Sequence, residues 1–152
     1  MSLDTVLVAV DTDEDEAIDE LAETAIDIAG PAEATVVLSH VFSEKAYEDA
    51  RERLQFDPDG EVTPSVVAKR NANIREFEKR LSEAGVTSTV HARLGDGSDD
   101  GDRLAELAAE VEADLAIIGG RGRTPAGKAV FGSTAQTLML TADCPVTFVR
   151  TE

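Results

Sequence analysis

Residues 119–134 hold the groups in this chain best suited to an anion. Gly119, Gly120 and Gly122 are followed, after nine intervening residues, by Gly132, Ser133 and Thr134, and Arg121 and Arg123 are interleaved with them. Glycines let backbone N–H groups approach a phosphate closely. A helix start adds free N–H groups and the positive end of a dipole. Hydroxyls supply further donors, and guanidinium forks match phosphate oxygens. The spacing also marks Gly122 and Gly132 as positions where a β-branched side chain would fill phosphate space and strain a positive φ.

The flanking residues give the order that phosphate binding requires. The apolar run Leu115-Ala116-Ile117-Ile118 leads into the glycines, and Ala135, Leu138, Met139 and Ala142 lead away at helical spacing. Strand, glycine loop and helix start therefore follow one another. The loop is not a Walker A element, because Gly127-Lys128 is followed by Ala129. Nor is it the dinucleotide fingerprint, which belongs after the first strand. There the chain reads Asp11-Thr12-Asp13-Glu14-Asp15-Glu16, acidic and without glycine. A surface loop with a glycine cap is the plainer alternative, and Arg123 and Lys128 are equally suited to surface ion pairs or to solvent.

The elements that must position this loop alternate along the chain. Thr5 to Val10 reads as a buried strand, and Asp13 with Glu16 as a capping-box helix start. Ile18, Leu21, Ala22, Ala25 and Ala29 form a helical face that Gly30-Pro31 is expected to stop. Ala34 to Val41 is a second strand, and Ser43 to Gln55 is polar with weak helical character. Thr63-Pro64 opens a helix carrying Val67, Ile74, Phe77 and Leu81, ended by Gly85. Val86 to Leu94 alternates as a third strand, and Gly95 to Gly101 reads as an acidic loop. A helix with Leu104, Leu107, Ala108 and Val111 precedes the fourth strand, Leu115 to Ile118. Val146 to Val149 is the fifth. Strands alternating with helices predict an α/β fold, a single-domain, mostly parallel sheet with helices on both faces. Ligands in such sheets sit at the carboxyl ends of strands, where Asp11, Val41 and Gly119 fall.

Charge excludes several partners. Asp and Glu number 31 against 14 Lys and Arg, a formal net charge of −17, and the acids are dispersed rather than massed in a tail. Such a surface repels nucleic acid and anionic lipid. Only four of the cations are lysines, and aromatics are few. Together these features point to a halophilic origin in molar salt, where screening makes self-repulsion tolerable. No apolar run is long enough for a membrane span or a signal-peptide core, so a cytoplasmic protein is expected. Cys144 is the only cysteine, which rules out an intrachain disulfide.

The residues Val6-Leu7-Val8-Ala9-Val10-Asp11, Ser39-His40-Val41, Ile118-Gly119-Gly120-Arg121-Gly122-Arg123 with Gly132-Ser133, and Asp143-Cys144-Pro145-Val146 resemble the universal stress protein family. The resemblance covers the whole chain, and the glycine spacing is similar to that of the family's ATP-binding branch. It implies a Rossmann-like, five-stranded sheet of order 3-2-1-4-5 and a homodimer, often paired through the last strand near Phe148. It also implies ATP or another adenine nucleotide, with Mg²⁺, over strands one and four. Carried over by position, Ala9 and Asp11 line the base and ribose. The backbone of Val41 meets adenine, and Ile118 and Gly119 lie beside ribose and phosphates. Gly120, Arg121, Gly122, Arg123, Gly132, Ser133 and Thr134 complete the phosphate side.

Departures from the family are the acidic run Thr12 to Glu16 and Pro125 in the loop. The resemblance thus implies a dimeric, regulatory nucleotide-binding module; no Ser/His/Asp or Cys/His set is visible in the sequence, so at most slow ATP hydrolysis is expected. An interaction-only dimer, or a weak autophosphorylating ATPase using Ser133 or Thr134, are the alternatives. His40 reads as a packing residue at the end of strand two, and His91, on strand three, has no Cys or carboxylate partner at a spacing that would make a metal site.

Overall fold

The computed structural model describes residues 2–10, 17–57, 59–120, 122–123, 129–130 and 132–151. In chain order these form β1 (Thr5–Ala9), α1 (Ala17–Ala32), β2 (Thr35–Ser43), α2 (Glu44–Arg53), α3 (Pro64–Lys69) and α4 (Ala72–Glu83). There follow β3 (Ser88–Gly95), α5 (Asp100–Glu110), β4 (Leu115–Gly120), β5 (Gly122–Arg123), β6 (Ala129–Val130), α6 (Ser133–Thr141) and β7 (Val146–Arg150). Five strands form a parallel sheet of order β3-β2-β1-β4-β7. This is the expected 3-2-1-4-5 order, with β7 as the fifth strand. The additional antiparallel ribbon β5-β6 falls inside the glycine loop and carries no sequence signal for strands.

Period-2 alternation divides the sheet between two cores. Val6, Val8, Val36, Leu38 and Ile117 face one side and pack with α1, α2, α3 and α4 through Leu21, Tyr47, Val67, Ile74, Phe77 and Leu81. Leu7, Val41, Ala116 and Ile118 face the other and pack with α5 and α6 through Leu104, Leu107, Ala108, Ala135 and Leu138. Both central strands are buried on both faces, as their continuous apolar runs require.

Three element boundaries differ from expectation. Gly30-Pro31 does not stop α1, which runs to Ala32 with Pro31 inside its last turn. The left-handed closing residue is Glu33 (φ 56°). Its N–H bonds the Gly30 carbonyl at 3.1 Å, and the Ala34 N–H bonds the Ala29 carbonyl at 3.0 Å. The helix expected from Thr63-Pro64 to Gly85 is broken at Asn71. The Asn71 side chain accepts from the N–H groups of Asn73 and Ile74 at 2.9 and 3.2 Å and starts α4 afresh. The segment Gly95 to Gly101 is not all loop, because α5 begins at Asp100 and buries Gly101. The expected capping pair Asp13 and Glu16 lies outside the described residues.

Candidate functional site

The sheet's connectivity reverses between β1 and β4, since the chain moves outward through β2 and β3 and then returns to the far side of β1. A crevice at the carboxyl ends of those two strands follows from that reversal. Three residues selected from the sequence meet there on one face. Val41 and Ile118 belong to the same buried cluster, and Ala9 packs against it.

The β2 end presents its main chain to this crevice. Even-numbered β2 residues bond toward β3, as in Val36 N–H to the Thr87 carbonyl at 2.9 Å. Odd-numbered ones bond toward β1, as in Val10 N–H to the Ser39 carbonyl at 2.8 Å. Val41 therefore turns its amide and carbonyl to the β1 side, past Ala9, where β1 ends. A donor and an acceptor stand there side by side. Two side chains brace this edge. The fully buried Ser39 hydroxyl donates to the Val8 carbonyl at 2.8 Å, and the His40 ring donates from Nδ1 to the Val10 carbonyl at 2.9 Å. His40 also packs edge-on against Phe42. Its packing role is as expected.

The opposite wall is the start of α6. Gly132 is the residue before the helix, with φ −60° and ψ 157°, and as a glycine it brings no capping side chain of its own. The first intrahelical bond runs from Gln136 N–H to the Gly132 carbonyl at 3.0 Å. The amides of Ser133, Thr134 and Ala135 thus precede the helical ladder, and such groups attract an anion. A Cβ on Gly132 would meet nothing within 4 Å. The positive φ expected at Gly132 is absent. Glycine there leaves open space before the helix, and no strained backbone requires it.

Gly119 and Gly120 have intramolecular reasons to be small, which the sequence did not disclose. A Cβ on Gly120 would stand 2.9 Å from the Phe148 ring, and one on Gly119 would stand 3.0 Å from Thr151 and 3.3 Å from Leu21. These glycines make room for the Phe148 ring of the neighbouring strand β7, for Thr151 beyond it and for Leu21 of α1. Gly122 and Arg123 continue into β5, opposite Val130 and Ala129. Asp11 and Arg121, the carboxylate and guanidinium chosen for ribose and phosphate, lie outside the described residues, as do the run Thr12 to Glu16, Pro125 and Lys128.

A neighbouring element was missed from sequence. The turn after β3 leans over the β2 end, where Asp99 Oδ1 and Val41 Cγ1 lie 2.6 and 2.9 Å from the point a Gly95 Cβ would occupy. Asp99 holds this turn by accepting from the Asp96 N–H at 2.9 Å and pairing with Arg103 at 2.8 Å. The Ser98 hydroxyl and amide donate to Asp96 and keep its carboxyl below the usual carboxylate range. The Cys144 thiol is pushed up by burial, so it stays protonated rather than nucleophilic. Among the described residues no group of three or more His, Cys, Asp or Glu side chains is arranged to hold a metal, and no helix is long and apolar enough to cross a membrane.

A model of the universal stress protein family matches residues 2–150. The chain belongs to that family. A universal stress protein of Mycolicibacterium smegmatis is 32% identical over 81 residues, which cover 53% of this chain and 61% of that protein. This chain therefore matches less than two thirds of that relative's length. Among solved structures, a universal stress protein from Archaeoglobus fulgidus superposes with a TM-score of 0.67 at 23% identity, covering 97% of this chain and 98% of its own. A universal stress protein in complex with cAMP superposes at 0.66 with 25% identity, over 100% of both chains.

Proposed function

We propose that this universal stress protein binds an adenine nucleotide of the ATP type across the β1–β4 crevice and acts as a homodimeric regulatory module. The observation that carries the reading is the N-terminus of α6, uncapped and open among the described residues and facing the carboxyl edge of the sheet, in a family with a cAMP-bound member of the same fold. The adjacent donor and acceptor of Val41 suit the adenine edge, which offers a ring nitrogen beside an amino group. Ala9 and Ile118 provide the apolar floor, and Asp11 is proposed for the ribose hydroxyls. Gly119, Gly120, Arg121, Gly122, Arg123, Gly132, Ser133 and Thr134 are proposed for the phosphates. Mg²⁺ would be held chiefly by the phosphates and water rather than by a protein cage. Occupancy would act by favouring one conformation over another.

The direct test is to purify the protein in molar KCl, denature it and identify released small molecules by chromatography with mass detection. Near-stoichiometric ATP or ADP is expected. A protein that emerges empty and also fails to bind added Mg-ATP would reject the nucleotide reading and favour an interaction-only dimer.

We also propose adaptation to high salt. Rows of acids at i, i+4 and i+8 run along α1 (Asp19, Glu23, Asp27), α2 (Glu44, Glu48, Glu52) and α5 (Asp102, Glu106, Glu110). Such like-charge spacing destabilises a helix in dilute buffer. The unfolding midpoint should rise as KCl goes from about 0.1 to about 1 M, where the screening length falls from about 10 to about 3 Å. A midpoint that stays flat or falls over that range would remove the salt argument.

A further inference from the structure

Gly101 lies buried in the first turn of α5. A Cβ on it would stand 2.5 Å from Thr137 Cβ, 2.8 Å from Thr137 Cγ2 and 2.8 Å from the Thr134 carbonyl oxygen. Carbon contacts are comfortable at about 3.5–4.0 Å, so any larger residue forces α6 away. Gly101 has no left-handed φ that would itself demand glycine. Glycine inside a helix is also less stable than alanine by about 1 kcal/mol. Close approach of the two helices is therefore what accounts for it.

The atoms it meets belong to the site. Thr134 is the second residue of α6, and its carbonyl sits in the turn whose amides open onto the crevice. Just upstream of α5, Gly95 leaves room for the side chains of both Asp99 and Val41, and the Val41 main chain faces the same crevice. The start of α5 is thus wedged between the strand end proposed for the base and the helix start proposed for the phosphates.

We infer that Gly101 is a positioning residue: by seating the first turn of α6 against α5, it sets the distance from the Val41 edge to the phosphate-facing amides without touching the nucleotide. This rests on the nucleotide reading above. The test is equilibrium dialysis with labelled ATP and labelled adenosine on the full chain and on Gly101→Ala, Gly101→Ala/Thr137→Gly and Thr137→Ala. In Gly101→Ala, ATP affinity should fall about tenfold, the scale of one weakened charge-assisted hydrogen bond, with adenosine affinity unchanged. The double variant deletes both Thr137 carbons that the new methyl meets and should recover part of the ATP binding, because the contact with the Thr134 carbonyl remains. Thr137→Ala should show a smaller loss confined to ATP, and it decides the matter if Gly101→Ala does not fold. Equal losses for both ligands, or none, in folded variants overturn the positioning role while nucleotide binding stands. A wild-type protein that binds neither ligand overturns the nucleotide reading and the inference with it.

Discussion

The two faces of the sheet are packed by different kinds of residue. On the α1–α4 side the core buries aromatic rings, Phe42, Tyr47 and Phe77, with Ile74 and Leu81 and with alanines such as Ala22, Ala25 and Ala29. On the α5–α6 side the buried cluster, among the described residues, has no aromatic ring: leucines alternate with Ala105, Ala108, Ala116 and Ala135, and Gly101 is buried at the helix contact. Large interdigitating side chains fill volume and supply most of the transfer free energy. Small ones let helix axes and sheet approach closely, so helix ends can be placed with little slack. One face thus chiefly holds the molecule together. The other sets where the N-terminus of α6 stands relative to β1, β2 and β4.

This contrast is broken most severely by Phe77→Ala. Phe77 is fully buried in the core that holds the aromatic rings. Its truncation should destabilise the fold by about 3–5 kcal/mol, transfer and cavity terms together. Chemical denaturation measures that loss, while ATP affinity measured well below the unfolding midpoint should stay as in the wild type. A variant that lost affinity in step with stability would show that the two faces are not separable.

Gly132→Val attacks the other face at its functional end. The backbone there is extended and a Cβ meets nothing, so the folded protein accommodates valine. The branched side chain would occupy the space before the α6 amides. We expect about 2 kcal/mol of binding to be lost, roughly 30-fold, on the scale of one charged hydrogen bond. Unfolding should stay close to wild type. Unchanged ATP affinity would detach the α6 N-terminus from the phosphates.

The parallel α/β class was legible in the sequence because it follows from alternation and from apolar runs that do not depend on distant contacts, whereas the strand order was legible only through the family resemblance. Helix endings were less so, for a definable reason. Four helices end with the same pair of backbone bonds around a left-handed residue, but that residue is glycine only at Gly85. At Glu33, Gln55 and Glu112 an ordinary side chain adopts φ between 55° and 61°. A rule that looks for glycine finds one of the four, and it is misled by Gly30, which is simply helical. The break at Asn71 was hidden because Ile74, Phe77 and Leu81 keep a helical period that Val67 also fits. The apolar pattern records which face is buried, not whether the backbone is continuous. In the candidate site, Gly132 could be chosen by type and spacing, and Val41 and Ile118 through the family resemblance. Gly101 could not, because its partners Thr134 and Thr137 are brought to it only by the packing of α5 against α6.

The smallest expected effect lies at the far end of the sheet from the crevice, where neither function nor a core is at stake. The Asp114 carboxylate, just ahead of β4, accepts from the Asp4 N–H at 2.8 Å and the Thr5 N–H at 3.1 Å and ties β4 to the start of β1. Those two donors, Asp4 foremost, hold its carboxyl below the usual value. A carboxylate whose folded pKa is lowered stabilises the protein above its unfolded pKa of about 3.9. That contribution disappears as pH falls through the lower folded value. Asp114→Asn should therefore unfold slightly earlier than the wild type at neutral pH, and the two denaturation midpoints should converge as pH drops below about 4. A gap that persists unchanged into strong acid would mean that Asp114 acts through shape rather than charge. ATP affinity should not move at any pH where both proteins are folded, because this end of β4 is separated from the crevice by the length of the strand.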